Sequence, residues 1–263
     1  MNRKVISIAN QKGGVGKTTT AVHLGAGMAL EGYKTLVIDM DPQANATAGL
    51  GFTPSEEQPG VYDLLINDMP AQNTVRSCEI ENLYLISSDP RLHGAEIELV
   101  SKIARERILA EALLDLEDDF RFIVLDCPPS LGLLTLNALS ASSSILVPMQ
   151  CEYYALEGLA HLIKTVKLVR THINPNLEIE GIVLTMYDGR LNLTKQVSDE
   201  IAEVFGSRVY KTMISRNVRL SEAPSFGKPV YLYDPSSRGS QNYRDLTIEF
   251  LTHQNLPSRE AVA

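Results

Sequence analysis

The stretch Asn10-Gln11-Lys12-Gly13-Gly14-Val15-Gly16-Lys17-Thr18-Thr19-Thr20 follows the apolar run Val5-Ile6-Ser7-Ile8-Ala9 and precedes a run of small and apolar residues stopped by Gly32. It reads as strand, glycine-rich turn, helix. Consecutive glycines let the backbone turn tightly, so that the N–H groups of Gly13, Gly14, Val15 and Gly16 can point at phosphate oxygens. The helix start adds a partial positive charge. Lys17 is then placed to reach the β and γ phosphates, and the Thr18 hydroxyl to ligate magnesium. The standard loop, GxxxxGK followed by Ser or Thr, requires Gly at position 11. Gln11 stands there, and Lys12 adds a second lysine. A dinucleotide fingerprint, GxGxxG, is met by Gly14 and Gly16 but fails at Thr19, although Asp39 stands about 20 residues on. Two lysines and two threonines at these spacings argue against that reading and against a turn without a ligand.

Outward from this loop, short β-branched runs alternate with longer helix-like ones. Strands are expected at 5–9, 35–38, 83–86, 122–125, 145–147, 182–185, 209–210 and 230–233. Helices are expected at 18–31, 96–116, 156–173, 194–205 and 241–252. Several strands are apolar throughout, as parallel strands covered on both faces are. The fold expected is α/β, a doubly wound, mostly parallel sheet with helices on both faces. Two runs end in acids where such a sheet binds its ligand, beyond the carboxyl ends of its strands. Asp39 and Asp41 follow 35–38, and Asp126 follows 122–125. Asp126 suits the magnesium shell. Asp39 and Asp41 alternate in direction if the strand persists, so they cannot share a role. A solvated loop carboxylate is the plainer reading of each.

The 263 residues, 44% of them hydrophobic, suffice for a large core and exclude disorder as a description of the whole. A single domain over 1–263 is expected, with 53–59 a loop and 255–263 a flexible tail. Cys78, Cys127 and Cys151 form no CxxC pair, which favours reduced thiols in a cytosolic protein, with Cys127 a packing residue. The five His show no ligand spacing. No stretch of about 20 uncharged apolar residues spans a membrane.

Residues 12–19 resemble the deviant Walker A motif of the ParA/MinD superfamily of P-loop NTPases. The likeness continues through Asp39-Met40-Asp41-Pro42-Gln43-Ala44-Asn45-Ala46-Thr47 and 125–130. Residues 217–225, Gly227-Lys228-Pro229 and 233–239 resemble the Soj-like, chromosomal ParA branch. The resemblance covers roughly residues 4–250. It implies an ATP- and Mg²⁺-dependent ATPase that dimerises face to face on ATP. Lys12 reaches the phosphates of the partner subunit, and Lys17, Thr18 and Thr19 hold phosphates and Mg²⁺ within the subunit. Asp41 orients or activates the attacking water, Asp126 is the Walker B acid, and Asp39 supports the magnesium water shell. The base lies after Met213, with Asn217 its contact, although Ser215 replaces a proline common in the family.

The resemblance leaves several functions open: DNA segregation, a membrane-cycling division-site ATPase of the MinD type, a positioning ATPase for another cargo, and an iron–sulfur reductase or small-molecule ligase. The cysteines lie in no glycine-rich cluster loop. The tail from 250 is broken by Pro257 and carries Arg259 as its only Lys or Arg, which suits a membrane-binding helix poorly. Net charge is −8, yet residues 187–244 carry nine basic against six acidic side chains, which leaves −11 on the rest. A basic patch on an acidic body favours DNA segregation. Arg190 and Arg219 are the first candidates for phosphate contacts, with Arg216 and Lys195 next. No aromatic stripe or helix-turn-helix extension accompanies them, so nonspecific, salt-sensitive duplex binding is expected. A ParB-type centromere-binding partner and a cytoplasmic, nucleoid-associated location complete what the resemblance implies.

Overall fold

The computed structural model describes residues 3–116, 120–152 and 155–258. Seven strands, β1 Lys4–Ile8, β2 Thr35–Asp39, β3 Val75–Ser77, β4 Leu83–Ile86, β5 Phe122–Asp126, β6 Ser144–Gln150 and β7 Glu178–Thr185, form one sheet in the order β3-β4-β2-β5-β1-β6-β7. All neighbouring pairs are parallel except β3 with β4. The α-helices are α1 Lys17–Leu30, α2 Asn45–Gly49, α3 Val61–Ile66, α4 Leu92–Leu99, α5 Ile108–Leu114, α6 Leu133–Ala141, α7 Ala155–His172, α8 Asn192–Phe205, α9 Val218–Glu222, α10 Val230–Tyr233 and α11 Arg238–His253. Among the described residues no helix is long and apolar enough to cross a membrane.

Strand residues alternate between two buried clusters. Leu36, Ile38, Ile123 and Leu125 join the cluster under α3 to α8. Val37, Phe122 and Val124 join the one under α1 and α11. With a side-chain period of two, Asp39 and Asp126 fall on the α1 side. The register pairs Asp39 with Asp126 across β2 and β5, so the two carboxylates stand side by side at one end of the sheet.

The structure corrects the sequence reading at several places. Residues 230–233 form α10, because Val230 N–H is taken by His23 Nε2 and the N–H groups of Leu232 and Tyr233 close back on Pro229. A short apolar run does not distinguish the two conformations. Residues 209–210 make only an isolated bridge, Ile182 with Val209. The helix expected over 96–116 is two helices, α4 and α5. Ala104 has a positive φ of 51°, and the buried Asn137 side chain accepts from Leu109 N–H and donates to the Arg105 carbonyl, so a side chain from α6 starts α5 afresh. Helices α3 and α6 and the short edge strand β3 went unforeseen. Residues 53–59 are irregular, as expected. The tail is docked where it is described: Leu256 N–H bonds the Leu251 carbonyl and the Tyr33 hydroxyl donates to the Pro257 carbonyl. Residues 259–263, which include Arg259, lie outside the described residues.

Helix α1 is rich in small residues because it lies between the sheet and α11. A Cβ added at Gly27 would collide with Thr247 Oγ1 and stand 3.0 Å from the Tyr231 hydroxyl. Gly27→Ala should therefore destabilise the protein by about 1–3 kcal/mol, the usual cost of overpacking. Combining it with Thr247→Ala, which removes the opposing atom, should recover part of that loss. Urea unfolding of the two single variants and the double variant measures the coupling.

Candidate nucleotide site

The turn between β1 and α1 is held from three sides. Asn10 Nδ2 donates to the Pro148 carbonyl at 2.8 Å, while Asn10 Oδ1 accepts from Lys12 N–H at 3.0 Å. The Thr185 hydroxyl at the end of β7 donates to the Val15 carbonyl at 2.8 Å. Gly14 and Gly16 take the left-handed conformation, φ 73° and 85°, which other residues adopt only with strain. Val15 is buried while Gly13 and Gly14 are exposed, and a Cβ at either glycine would meet nothing within 4 Å among the described residues. The loop thus turns its backbone toward open space, with room for a ligand against it.

Lys17 opens α1 and is buried. Its Nζ donates back to the Lys12 carbonyl at 3.2 Å. Burial lowers its pKa, and the carboxylates of Asp126 and Asp41 oppose that shift. Asp126 is fully buried. Among the described residues neither of its oxygens closes a hydrogen bond of normal geometry, although the Thr18 hydroxyl lies near enough to ease its charge. Burial first, and then the neighbouring Asp39, raise its pKa well above the carboxylate range. A buried carboxylate left short of partners is costly, and a cation or its bound water relieves it. With the Thr18 hydroxyl it offers the hard oxygen donors that magnesium takes, so the residues present fit that ion.

Asp39 is occupied differently. One oxygen accepts from the Thr47 N–H and hydroxyl, both at 2.7 Å, and the other from Asp41 N–H at 3.2 Å. Ser88 N–H donates to the Thr47 hydroxyl oxygen, and the Ser88 hydroxyl to the Asp41 carbonyl. Burial pushes the Asp39 pKa up to about 6 against these bonds. Asp39 therefore anchors the loop that carries Asp41. Strand β2 ends at Asp39, so Asp41 lies beyond it, buried, with Oδ1 accepting from Gln43 N–H.

A cleft of about 400 Å³ opens beside the loop. Thr18 and Thr19 line one side, and Met186, Ser215, Arg216 and Asn217 the other. Asn217 caps α9, its Oδ1 accepting from Arg219 N–H. Lys12 is exposed and ion-paired with Glu152. Of the basic candidates, Arg190 is 89% exposed at its side chain and bonded twice to Asp188. Arg216 adds its charge to the field at Asp188, which brings it into the neighbourhood of Arg190. Arg219 pairs instead with Glu222 at 2.8 Å and Asp234 at 3.2 Å. Lys195 is exposed on α8. Burial pushes the Cys127 thiol up to about 12, so it is inert. Asn10, Ser88, Glu152, Thr185 and His23 also shape the site and belong to no residue pattern that marks a role for them. Each acts through a partner distant in sequence, and the only trace in the chain is a polar residue next to an apolar run.

A family model described as an AAA domain matches residues 3–179. The sporulation initiation inhibitor protein Soj of Bacillus subtilis is 54% identical over 246 residues, 94% of this chain and 97% of Soj. The chromosome partitioning protein ParA of Myxococcus xanthus is 49% identical, over 94% of this chain and 88% of its own. Among solved structures, cobyrinic acid a,c-diamide synthase from Mycobacterium smegmatis with bound ADP and magnesium is 32% identical with a TM-score of 0.84, covering 98% of this chain and 99% of that one. The septum site-determining protein MinD of Pyrococcus horikoshii, complexed with Mg-ADP, is 25% identical with a TM-score of 0.77, covering 94% and 96%. By identity and coverage, the chain belongs to the ParA/Soj family of chromosome-partitioning proteins.

Proposed function

We propose that this chain is a magnesium-dependent ATPase that segregates DNA. ATP closes two copies into a dimer, the dimer holds nonspecific duplex DNA, and hydrolysis stimulated by a ParB-type centromere-binding partner releases it. The protein works as one ATPase unit in the cytoplasm, associated with the nucleoid. The observation that carries the reading is the buried Asp126 carboxylate, short of partners beside Lys17 at the foot of the glycine-rich turn. Likeness to the Soj and ParA relatives supports the cargo. A small-molecule ligase on the same scaffold is the second reading, favoured by the 32% identical synthase. It is the weaker because the partition relatives are markedly closer in sequence.

In this proposal each residue takes a role that its position supports. The N–H groups of residues 13–19 and the Lys17 ammonium hold phosphates. Lys12, exposed at the rim, exchanges Glu152 for a phosphate bound by the partner subunit. Asp41, held by the Asp39–Thr47–Ser88 chain, orients the attacking water. Thr18 would hold the magnesium ion, with Asp39 and Asp126 in its outer shell, and the ion would neutralise charge on the phosphates. Asn217 contacts the base. Arg190, Arg219, Arg216 and Lys195 meet DNA phosphates, and dimerisation joins two weak patches into one site.

Asp126 gives a pH test. A carboxylate whose folded pKa is raised weakens the fold as pH climbs above its unfolded value of 3.8. Asp126→Asn should thus raise the melting temperature of the nucleotide-free protein at pH 7.5. That advantage should shrink toward pH 4.5, and stabilisation by ATP with magnesium should be lost. Scanning calorimetry of parent and variant at both pH values measures each effect.

Asp41→Ala should bind ATP, dimerise and stay dimeric, with hydrolysis lost. Size-exclusion chromatography after incubation with ATP would find it monomeric if Asp41 instead held the nucleotide.

For DNA, the parent should retain any duplex with ATP and release it with ADP. Arg190→Ala or Arg219→Ala should weaken all sequences alike and lower the salt slope by about 1 each. Binding of anionic vesicles in place of DNA, or unchanged DNA affinity in the double variant, would exclude this function for the patch.

A further inference from the structure

The cleft has two walls from distant parts of the chain. One is the start of α1, with Thr18 and Thr19. The other runs through Ser215, Asn217, Leu220 and Lys228, beyond the last strand of the sheet. They are tied at His23, which itself lines the cleft. His23 Nε2 lies 2.9 Å from the backbone nitrogen of Val230, 207 positions away. A peptide N–H can only donate, so Nε2 is the acceptor. Nδ1 then carries the proton of the neutral ring and donates to the Thr19 carbonyl at 2.6 Å. Burial keeps the ring neutral, with its pKa down at about 4. The Tyr231 hydroxyl donates to the His23 carbonyl at 3.0 Å, and Tyr243 stacks on the ring with centroids 4.8 Å apart. Tyr243 also bonds the Thr20 hydroxyl at 3.1 Å. A core residue that only filled space would need none of these directed bonds. His23 uses both ring nitrogens, one on the backbone of each wall.

We infer that His23 is a positioning residue for nucleotide binding: it holds the wall that carries Asn217 and Lys228 at a fixed distance from the phosphate helix, so that one ligand touches both. The inference rests on the reading above, in which an adenine nucleotide fills this cleft. His23 touches no reacting atom and acts through Thr19 and Val230. Cleft width bears on the base and ribose, which ATP and ADP share, so its loss weakens both nucleotides alike and leaves the chemical step intact.

The test compares His23→Leu, which removes both ring bonds, with His23→Gln, whose amide can still accept from Val230 and donate. Equilibrium dialysis with labelled ADP and a nonhydrolysable ATP analogue, both with magnesium, gives Kd. Steady-state hydrolysis gives kcat and KM, and thermal melting checks the fold. In His23→Leu, both Kd values and the KM should rise about tenfold, with kcat within twofold of the parent. His23→Gln should recover most of the affinity. Unchanged Kd in His23→Leu overturns the inference. So does a fall in kcat alone with a lowered melting temperature, the mark of a purely structural role. Loss for the ATP analogue but not ADP, or a Gln variant no better than Leu, overturns it as well. A parent that binds neither nucleotide overturns the proposed function and the inference together, whereas a parent that binds beside a Leu variant that binds equally overturns the inference alone.

Discussion

A buried carboxyl group that finds no full set of partners among the described residues sits where β5 ends, and the rest of the site is arranged about it. Asp126 is placed by the register of three parallel strands, since β1 and β2 pair β5 up to that residue. The same register brings Asp39 beside it, and the turn after β1 brings Lys17 and Thr18 over it. Burial raises the pKa of both carboxylates, and the charge of Asp39 adds to the rise at Asp126. Asp39 is relieved by three donors from its own loop. Asp126 is left short of partners among the described residues.

The second level of organisation is the cleft between α1 and the segments after β7. Its walls are joined by single bonds, not by a sheet. Within the wall beyond β7, Tyr187 N–H bonds the Ile214 carbonyl and an isolated bridge pairs Tyr187 with Ser215; between the walls, His23 accepts from Val230 N–H and its carbonyl accepts from the Tyr231 hydroxyl. The loop that carries Arg190 and the one that carries Arg216 and Asn217 are therefore fastened to each other at the cleft rim. Each leading arginine is held by a carboxylate of its own chain, Arg190 by Asp188 and Arg219 by Glu222 and Asp234. Exposed pairs of this kind are worth little.

Much of the site was legible because its parts are local in sequence. A glycine-rich turn between an apolar strand and a helix has one geometry, and Lys12, Lys17 and Thr18 occupy fixed places in it. Acids that end apolar runs fall at the sheet's ligand-binding edge for the same reason. The failures were also physical. Val230–Tyr233 reads as a strand by composition, but a short helix forms because His23, from the other end of the chain, takes its first N–H. Residues 96–116 read as one helix, and a buried Asn137 from another helix divides them.

The sequence by itself determined the parallel α/β architecture, the glycine-rich turn with its extra lysine, the three acids and the basic excess over residues 187–244. These follow from periodicity, backbone freedom and charge within short windows. Tertiary structure alone decided which acid stays unsatisfied, which one organises its neighbour's loop, and which side chain fastens the two walls of the cleft. Burial and hydrogen-bond satisfaction depend on what other parts of the chain bring to a point. Asp39 and Asp126 are alike as terminal acids of apolar runs, and they differ because Thr47 and Asp41 N–H reach one of them while, among the described residues, no comparable set of donors reaches the other.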